Sequence, residues 1–161
     1  MDSQVFKAVM SRWVTGISVV TTTYEGEVQG FTANSFASVS IDPLLISMSV
    51  AKSLYAGELI QKSKTFAINV LTSDQIEWGK LFAGMYKDRE NRFENILYNT
   101  TTTGCPILPG VYAWMGCSVY QTVDVGASIL ILGEVEEAGI LDDGEPLAYF
   151  QRQWGTFKAI E

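Results

Sequence analysis

The sequence predicts a mainly β chain, an antiparallel barrel or sandwich carrying a few short helices. Three observations predict it. Runs rich in β-branched and apolar residues recur at 17–24, 44–50, 65–71, 111–122 and 128–137. Turn signals leave hairpin-like spacings between several of them, and helical periodicity is confined to short stretches. The regular strand–helix alternation of a dinucleotide-binding α/β domain is missing, and so is its glycine fingerprint. The 161 residues, 47% hydrophobic and 18% charged, suit one packed domain over 1–161 and exclude a disordered chain.

Each element has its own reason. Phe6, Val9, Met10 and Trp13 fall at i, i+3, i+4 and i+7, one apolar helical stripe that Gly16 ends. The β-branched run 17–24 reads as a strand, Glu25-Gly26-Glu27 as a turn, and Val28 onward as the return strand of a hairpin. Asp42-Pro43 leads into a buried strand over 44–50. Ser53 reads as the N-cap of a helix carrying Leu54, Leu59 and Ile60. A strand over 65–71 follows, then Ser73 as the cap of a short helix through Ile76, Trp78 and Leu81. Residues 84–104 are polar and irregular, with the charge cluster Lys87-Asp88-Arg89-Glu90. In 111–122, Val111, Ala113, Met115, Cys117 and Val119 alternate onto one face, and 128–137 is a further strand.

Charge and composition narrow the function. Eleven basic against 18 acidic residues give −7, and the pI is near 4.6. That argues against a nucleic-acid binder and against docking on an anionic membrane. The chain has no histidine. Imidazole-based metal sites, a Ser-His-Asp triad and a histidine general base are therefore excluded. An enzyme built this way needs little proton transfer from side chains, or leaves the hard step to a cofactor. Two cysteines without a CxxC pair fit a reducing compartment. The N-terminus lacks a basic signal region and the apolar runs are too short to span a bilayer, so a soluble cytoplasmic protein is expected.

Three groups of residues could carry chemistry. Gly30 to Ser40 crowds small and hydroxylic residues, with Thr32, Ala33, Asn34 and Ser35 at its centre. Backbone N–H groups, hydroxyls and an amide suit a planar heterocycle or a phosphate; a Ser/Thr-rich edge strand has the same composition. Val50-Ala51-Lys52-Ser53 ends a strand where a helix begins, which favours an anion or is an ordinary capped helix start. The aromatic set includes Trp13, Trp78, Trp114 and Trp154, expected in core or interface. Cys117 reads as an inert core thiol; Cys105, before Pro106, reads as a loop thiol open to solvent and without an activating base. The acidic group Glu134, Glu136, Glu137, Asp142 and Asp143 reads as a solvated edge.

The order of segments then becomes informative. Thr15-Gly16-Ile17-Ser18-Val19-Val20-Thr21-Thr22 precedes Gly30-Phe31-Thr32-Ala33-Asn34-Ser35-Phe36-Ala37-Ser38-Val39-Ser40-Ile41-Asp42-Pro43. Phe66-Ala67-Ile68-Asn69-Val70-Leu71, Thr103-Gly104-Cys105-Pro106, Ala113-Trp114-Met115-Gly116-Cys117 and Gly133-Glu134-Val135 follow in line. Over nearly its whole length the chain resembles the short-chain flavin reductase family, the reductase components of two-component flavin monooxygenases.

The resemblance implies a Greek-key, split antiparallel β-barrel that works as a homodimer, with flavin near the subunit interface. It implies hydride transfer from NADH or NADPH to FMN, with FAD possible, and delivery of reduced flavin to an oxygenase or other acceptor. Thr32, Ala33, Asn34 and Ser35 match the segment against the flavin ring. Val50, Ala51, Lys52 and Ser53 match the stretch at the ribityl chain and phosphate. Phe82-Ala83-Gly84 matches a loop that approaches the same cofactor. No side chain is implied as acid or base, and no metal. Where the family has Gly-Asp-His on the nicotinamide side, this chain has Gly126-Ala127-Ser128, leaving Gly126 and Ser128 as candidates. An FMN-binding electron-transfer protein reduced by a protein partner is the alternative on the same fold. A binding module without activity is a third.

Overall fold

The computed structural model describes residues 2–89, 91–141 and 143–160. Helix α1 (Ser3–Met10) is capped by the Asp2 carboxylate, which accepts from the Gln4 N–H. Strands β1 (Thr15–Gly16), β2 (Ser18–Tyr24), β3 (Glu27–Ala33), β4 (Ala37–Ile41) and β5 (Leu44–Ala51) follow. Helix α2 (Tyr55–Ser63) and β6 (Thr65–Val70) come next, then a 3-10 turn over Ser73–Gln75 and helix α3 (Ile76–Phe82). Two short strands, β7 (Asn99–Thr100) and β8 (Pro106–Ile107), precede the long hairpin of β9 (Ala113–Val125) and β10 (Ser128–Ile140). Strands β11 (Leu147–Phe150) and β12 (Gln153–Thr156) end the fold. The class is mainly β, as the sequence predicts.

Seven strands form one antiparallel sheet in the order β3-β2-β6-β9-β10-β5-β4. Within it, β9 lies between β6 and β10, and β5, which precedes all three in the chain, lies on the far side of β10. The two edge strands, β3 and β4, are joined by Asn34, Ser35 and Phe36 alone. Such a link spans at most about 14 Å, so the sheet curls until its edges meet at that corner. Strand β4 pairs β5 only over Leu44 to Ser47, which leaves the upper part of β5 open on that side. Ser35 Oγ donates to the Ser49 carbonyl at 3.0 Å, and Tyr55 Oη, just beyond β5, donates to Glu27 on β3 at 2.9 Å. These two contacts bracket an open seam between the free edge of β3 and the upper end of β5.

Curling gives the sheet two apolar faces. Val20, Phe31, Ile46, Met48, Phe66, Ile68, Cys117 and Ile131 pack inside it with Ile60 of α2. On the outside, Val19, Leu71, Leu81, Phe82, Leu108 and Val111 form a second cluster under α3. Strand β2 is buried on both sides, which explains why its sequence reads as a β-branched run and not as an alternation. Asn69 ties the two layers together. Its buried amide donates to the Val19 and Pro106 carbonyls and accepts from the Leu108 N–H at 2.8 Å.

Several expectations need correction. Helix α1 stops at Met10, so Trp13 lies beyond it; Phe6, Val9, Met10 and Trp13 are all exposed and cover no core of this chain. Leu54, not Ser53, is the N-cap of α2, because a tight turn gives the Leu54 N–H to the Ala51 carbonyl and no capping side chain is used. Thr72, not Ser73, starts the next helical stretch, through a reciprocal capping box with Gln75. Val111 belongs to the outer cluster, whereas Met115, Cys117 and Val119 line the inner one, since Val111 precedes the strand. Cys105 is fully buried, held under Thr101 and beside Thr65. Within the acidic group, Glu136 takes Ser118 and Glu137 takes Thr102; Asp142, like Glu90 of the charge cluster, lies outside the described residues.

Candidate functional site

The hairpin register determines what β3 offers to the seam. Glu25 and Gly26, both at positive φ, form its two-residue turn, and Tyr24 faces Glu27 across it. Counting from that closing pair, Val28, Gly30 and Thr32 turn their backbone N–H and C=O groups away from β2. On this edge the Gly30 carbonyl accepts from Arg92. Gly30 is needed here: a Cβ would meet the Phe82 ring at 3.0 Å and the Val20 carbonyl at 3.1 Å. Because Gly30 lacks one, the end of α3 lies directly on β3. Thr32 Oγ1 fastens it there by donating to the Gly79 carbonyl at 2.6 Å.

Each candidate now has a place. Ala33 is buried at the end of β3, and Asn34 is exposed, its amide donating to Thr15 Oγ1 at 3.2 Å. Asn34 and Ser35 line a cleft of about 720 Å³ with Trp13, Phe36 and Tyr149 on its walls. The Val50 and Phe82 side chains are buried in the inner and outer clusters, so only their backbones are available to a ligand. Ala51, Ser53 and Ala83 are exposed. Thr32 and the end of α3 meet on β3, and Ser35 meets β5 at Ser49, while Asn34 and Ser35 line one cavity and Val50 to Lys52 another.

Lys52 behaves differently. Its N–H bonds to the Ala127 carbonyl at 3.0 Å, on the β10 side of β5 and away from the seam. Its Nζ pairs with Asp124 at 2.6 Å. Asp124 also accepts the Gly126 N–H at 3.1 Å. Hydrogen bonding to Lys52, then to Gly126, holds this carboxyl below its ordinary range. Gly126 has φ +77 in the two-residue turn between Val125 and Ser128, so its glycine is a demand of the hairpin. Ser128 pairs with Ala51 across β5 and β10. The nicotinamide-side candidates and Lys52 are thus one unit at the hairpin tip.

The sequence offers Arg92, with Lys87 and Arg89 of the polar loop, as a cation for a pyrophosphate, and the structure adds its place at this edge. The guanidinium is half-buried, and its Nη1 donates to the Gly30 carbonyl at 3.1 Å and the Phe82 carbonyl at 3.0 Å. No local pattern marks an arginine that reaches back 62 residues in sequence to a strand edge. Cys117 offers no nucleophile, since burial first, then Cys105 and Glu136, push its thiol up to about 12. A cavity of about 810 Å³ between α3 and the segment that follows it is lined by Arg89 but by none of the flavin-side candidates. Glu77, Asp88 and Glu94 on its walls oppose a phosphate, so size alone does not locate the site.

The sequence model of the flavin reductase like domain matches residues 10–158, and the chain belongs to that family. The FMN reductase (NADH) SmoA of Agrobacterium fabrum is 34% identical over 157 residues, which are 97% of this chain and 87% of that protein. The reductase component of the flavin-dependent trigonelline monooxygenase of Acinetobacter baylyi is 38% identical over 125 residues, 77% of this chain. The chain spans 39% of that longer relative. The crystal structure of the flavin reductase HpaC complexed with NADP+ superposes with a TM-score of 0.88 at 32% identity, covering 99% of this chain and 100% of that one. Among the described residues no helix is long and apolar enough to cross a membrane.

Proposed function

We propose that this protein is an NAD(P)H-dependent flavin reductase whose flavin lies along the seam, in a sheet closed as a split barrel. The reading is supported by three contacts along β3 and its corner: Thr32 with Gly79, Ser35 with Ser49 of β5, and Arg92 joining Gly30 to Phe82. The residues fit the group. A flavin ring needs donors and acceptors in a plane, and the free edge of β3 with the Asn34 amide supplies both. The bound flavin supplies the acceptor for a hydride from reduced nicotinamide. The chain's own part is to position two planar rings and to exclude competing contacts, which suits a site without histidine. FMN is the expected flavin, as for SmoA, with FAD the alternative; NADH and NADPH are both open to the site. Delivery of reduced flavin to an oxygenase is supported by the Acinetobacter relative's being a monooxygenase reductase component.

A second copy of the chain is the proposed cover for the exposed stripe of α1 and for Tyr120, Val123 and Val125 of β9, large apolar residues that this chain leaves exposed. The deciding experiment titrates the purified protein with FMN by fluorescence and then adds NADH without oxygen. Binding followed by bleaching of the flavin absorbance supports the reading. Binding with bleaching only by dithionite favours the electron-transfer alternative, which the bare Gly126-Ala127-Ser128 turn also fits. Absence of binding removes both. Light scattering that gives a monomer at micromolar concentration would overturn the dimer.

A further inference from the structure

The chain is acidic, and the lysine expected to meet an anion is already closed on Asp124. Arg92 stands on the opposite side of the seam, half-buried, with no carboxylate partner among the described residues. A guanidinium has five N–H donors, and the two carbonyl contacts use Nη1 alone. The Nε and Nη2 donors remain, and they form the edge that grips an oxyanion with two parallel hydrogen bonds. No buried side-chain nitrogen or oxygen in the described structure lacks a partner, so these unpaired donors face open space.

Gly84 keeps that space clear. A Cβ there would come within 3.0 Å of Arg92 Nη2, and the residue sits at φ +75 in an exposed turn. Arg92 also lines a recess of about 660 Å³ along the first half of β3. The one carboxylate on its walls, Glu27, already takes Gln29 and Tyr55.

We infer that Arg92 does two jobs: Nη1 clamps the 82–84 turn onto the edge of β3, and the Nε–Nη2 edge seats a phosphoryl oxyanion of the bound nucleotides. This rests on the flavin-reductase reading and deepens it by naming the cation. The oxyanion belongs either to the flavin's phosphate or to the dinucleotide's pyrophosphate.

The test compares Arg92→Gln and Arg92→Lys with the wild-type protein. It uses FMN against riboflavin for binding, and NADH against a phosphate-free 1-benzyl-1,4-dihydronicotinamide for reduction. A charged hydrogen-bonded contact corresponds to about 10- to 100-fold in affinity. Arg92→Gln is expected to weaken FMN by that factor with riboflavin little changed, which assigns the seat to the flavin. A comparable rise in the NADH KM, with the benzyl donor unaffected and FMN binding retained, assigns it to the dinucleotide. Arg92→Lys, which keeps the charge, is expected to recover part of either loss. Equal losses for FMN and riboflavin, with no difference between the two hydride donors, would leave Arg92 as a clamp only and overturn the inference. A wild type that binds neither flavin would instead sink the reading of the site, whatever the variants do.

Discussion

On the β3 side of the seam a guanidinium is half-buried and held by two neutral carbonyls; on the β5 side an ammonium is exposed and closed on a carboxylate. The first arrangement leaves the positive charge available, because carbonyls orient it without neutralising it. The second consumes it. The two sides also differ in what supports them. Phe82 belongs to the outer cluster, and Gly30, Thr32 and Arg92 contact it or the helix that carries it, so a change there moves stability and binding together. Lys52, Asp124, Gly126 and Ala127 are exposed at a hairpin tip, so a change there should move binding or rate and leave the fold alone.

The largest expected effect breaks the β3 side. Phe82 is 1% exposed and packs edge-to-face on Phe93 with ring centroids 5.0 Å apart. Phe82→Ala is expected to cost about 3–5 kcal/mol, the range for a buried phenylalanine left as a cavity. It should also loosen the 82–84 turn, so FMN and riboflavin weaken together. Denaturant unfolding with and without saturating flavin measures both effects. An intact stability with lost flavin binding would mean that this side is not coupled to the core.

The fold was legible where one physical rule dominates, and the site where it did not depend on long-range contact. The first hairpin was readable because Glu25-Gly26 imposes turn geometry locally, whereas Gly126-Ala127 was read only as a candidate site and turned out to be the tip of the long hairpin. The short β1 escaped because it exists only by pairing with β11, far along the chain; β11 and β12 escaped because their two-residue turn, Gln151-Arg152 at positive φ, carries no glycine or asparagine signal. The α1 stripe was legible as a helix, but periodicity cannot say what covers a face, and here nothing in the same chain does. Among site residues, Thr32 to Ser35 announced themselves by composition. Lys52 looked like a free cation because its partner is 72 residues away. Arg92 was legible with Lys87 and Arg89 as a loop cation for a pyrophosphate, whereas its contact with β3, 62 residues back, was not.

The second effect tests the hairpin tip. Ala127 is exposed and Ser128 half-buried, and together they offer a dinucleotide a backbone and one hydroxyl. Restoring the family's pair with Ala127→Asp and Ser128→His adds one acid and one imidazole without touching either cluster. Anaerobic flavin bleaching at low NADH is expected to quicken about fivefold, the worth of one ordinary hydrogen bond, with the melting temperature unmoved. Slower bleaching in the double variant would show that the bare turn is already adapted to its donor.

The smallest effect concerns the ion pair that separates the two sides. With its pKa depressed by Lys52, Asp124 contributes its stabilisation in full above the ordinary aspartate value of about 3.9, and loses it as the pH falls through the lowered value. Acidifying the wild type is a poor way to release Lys52, because a phosphate monoester gives up part of its own charge below about pH 6. Asp124→Asn at neutral pH releases the lysine cleanly. The pair is exposed, with side chains 40% and 72% accessible, so the melting temperature should hardly change. If the freed ammonium swings from β10 toward the seam, FMN should gain at most about threefold over riboflavin, and the gain should vanish in high salt. A gain larger than that made by Arg92 would reverse the comparison and make β5 the charged side of the site. No gain at all would mean that the Lys52 N–H bond to Ala127 fixes the side chain at the tip, leaving the β3 side as the source of positive charge.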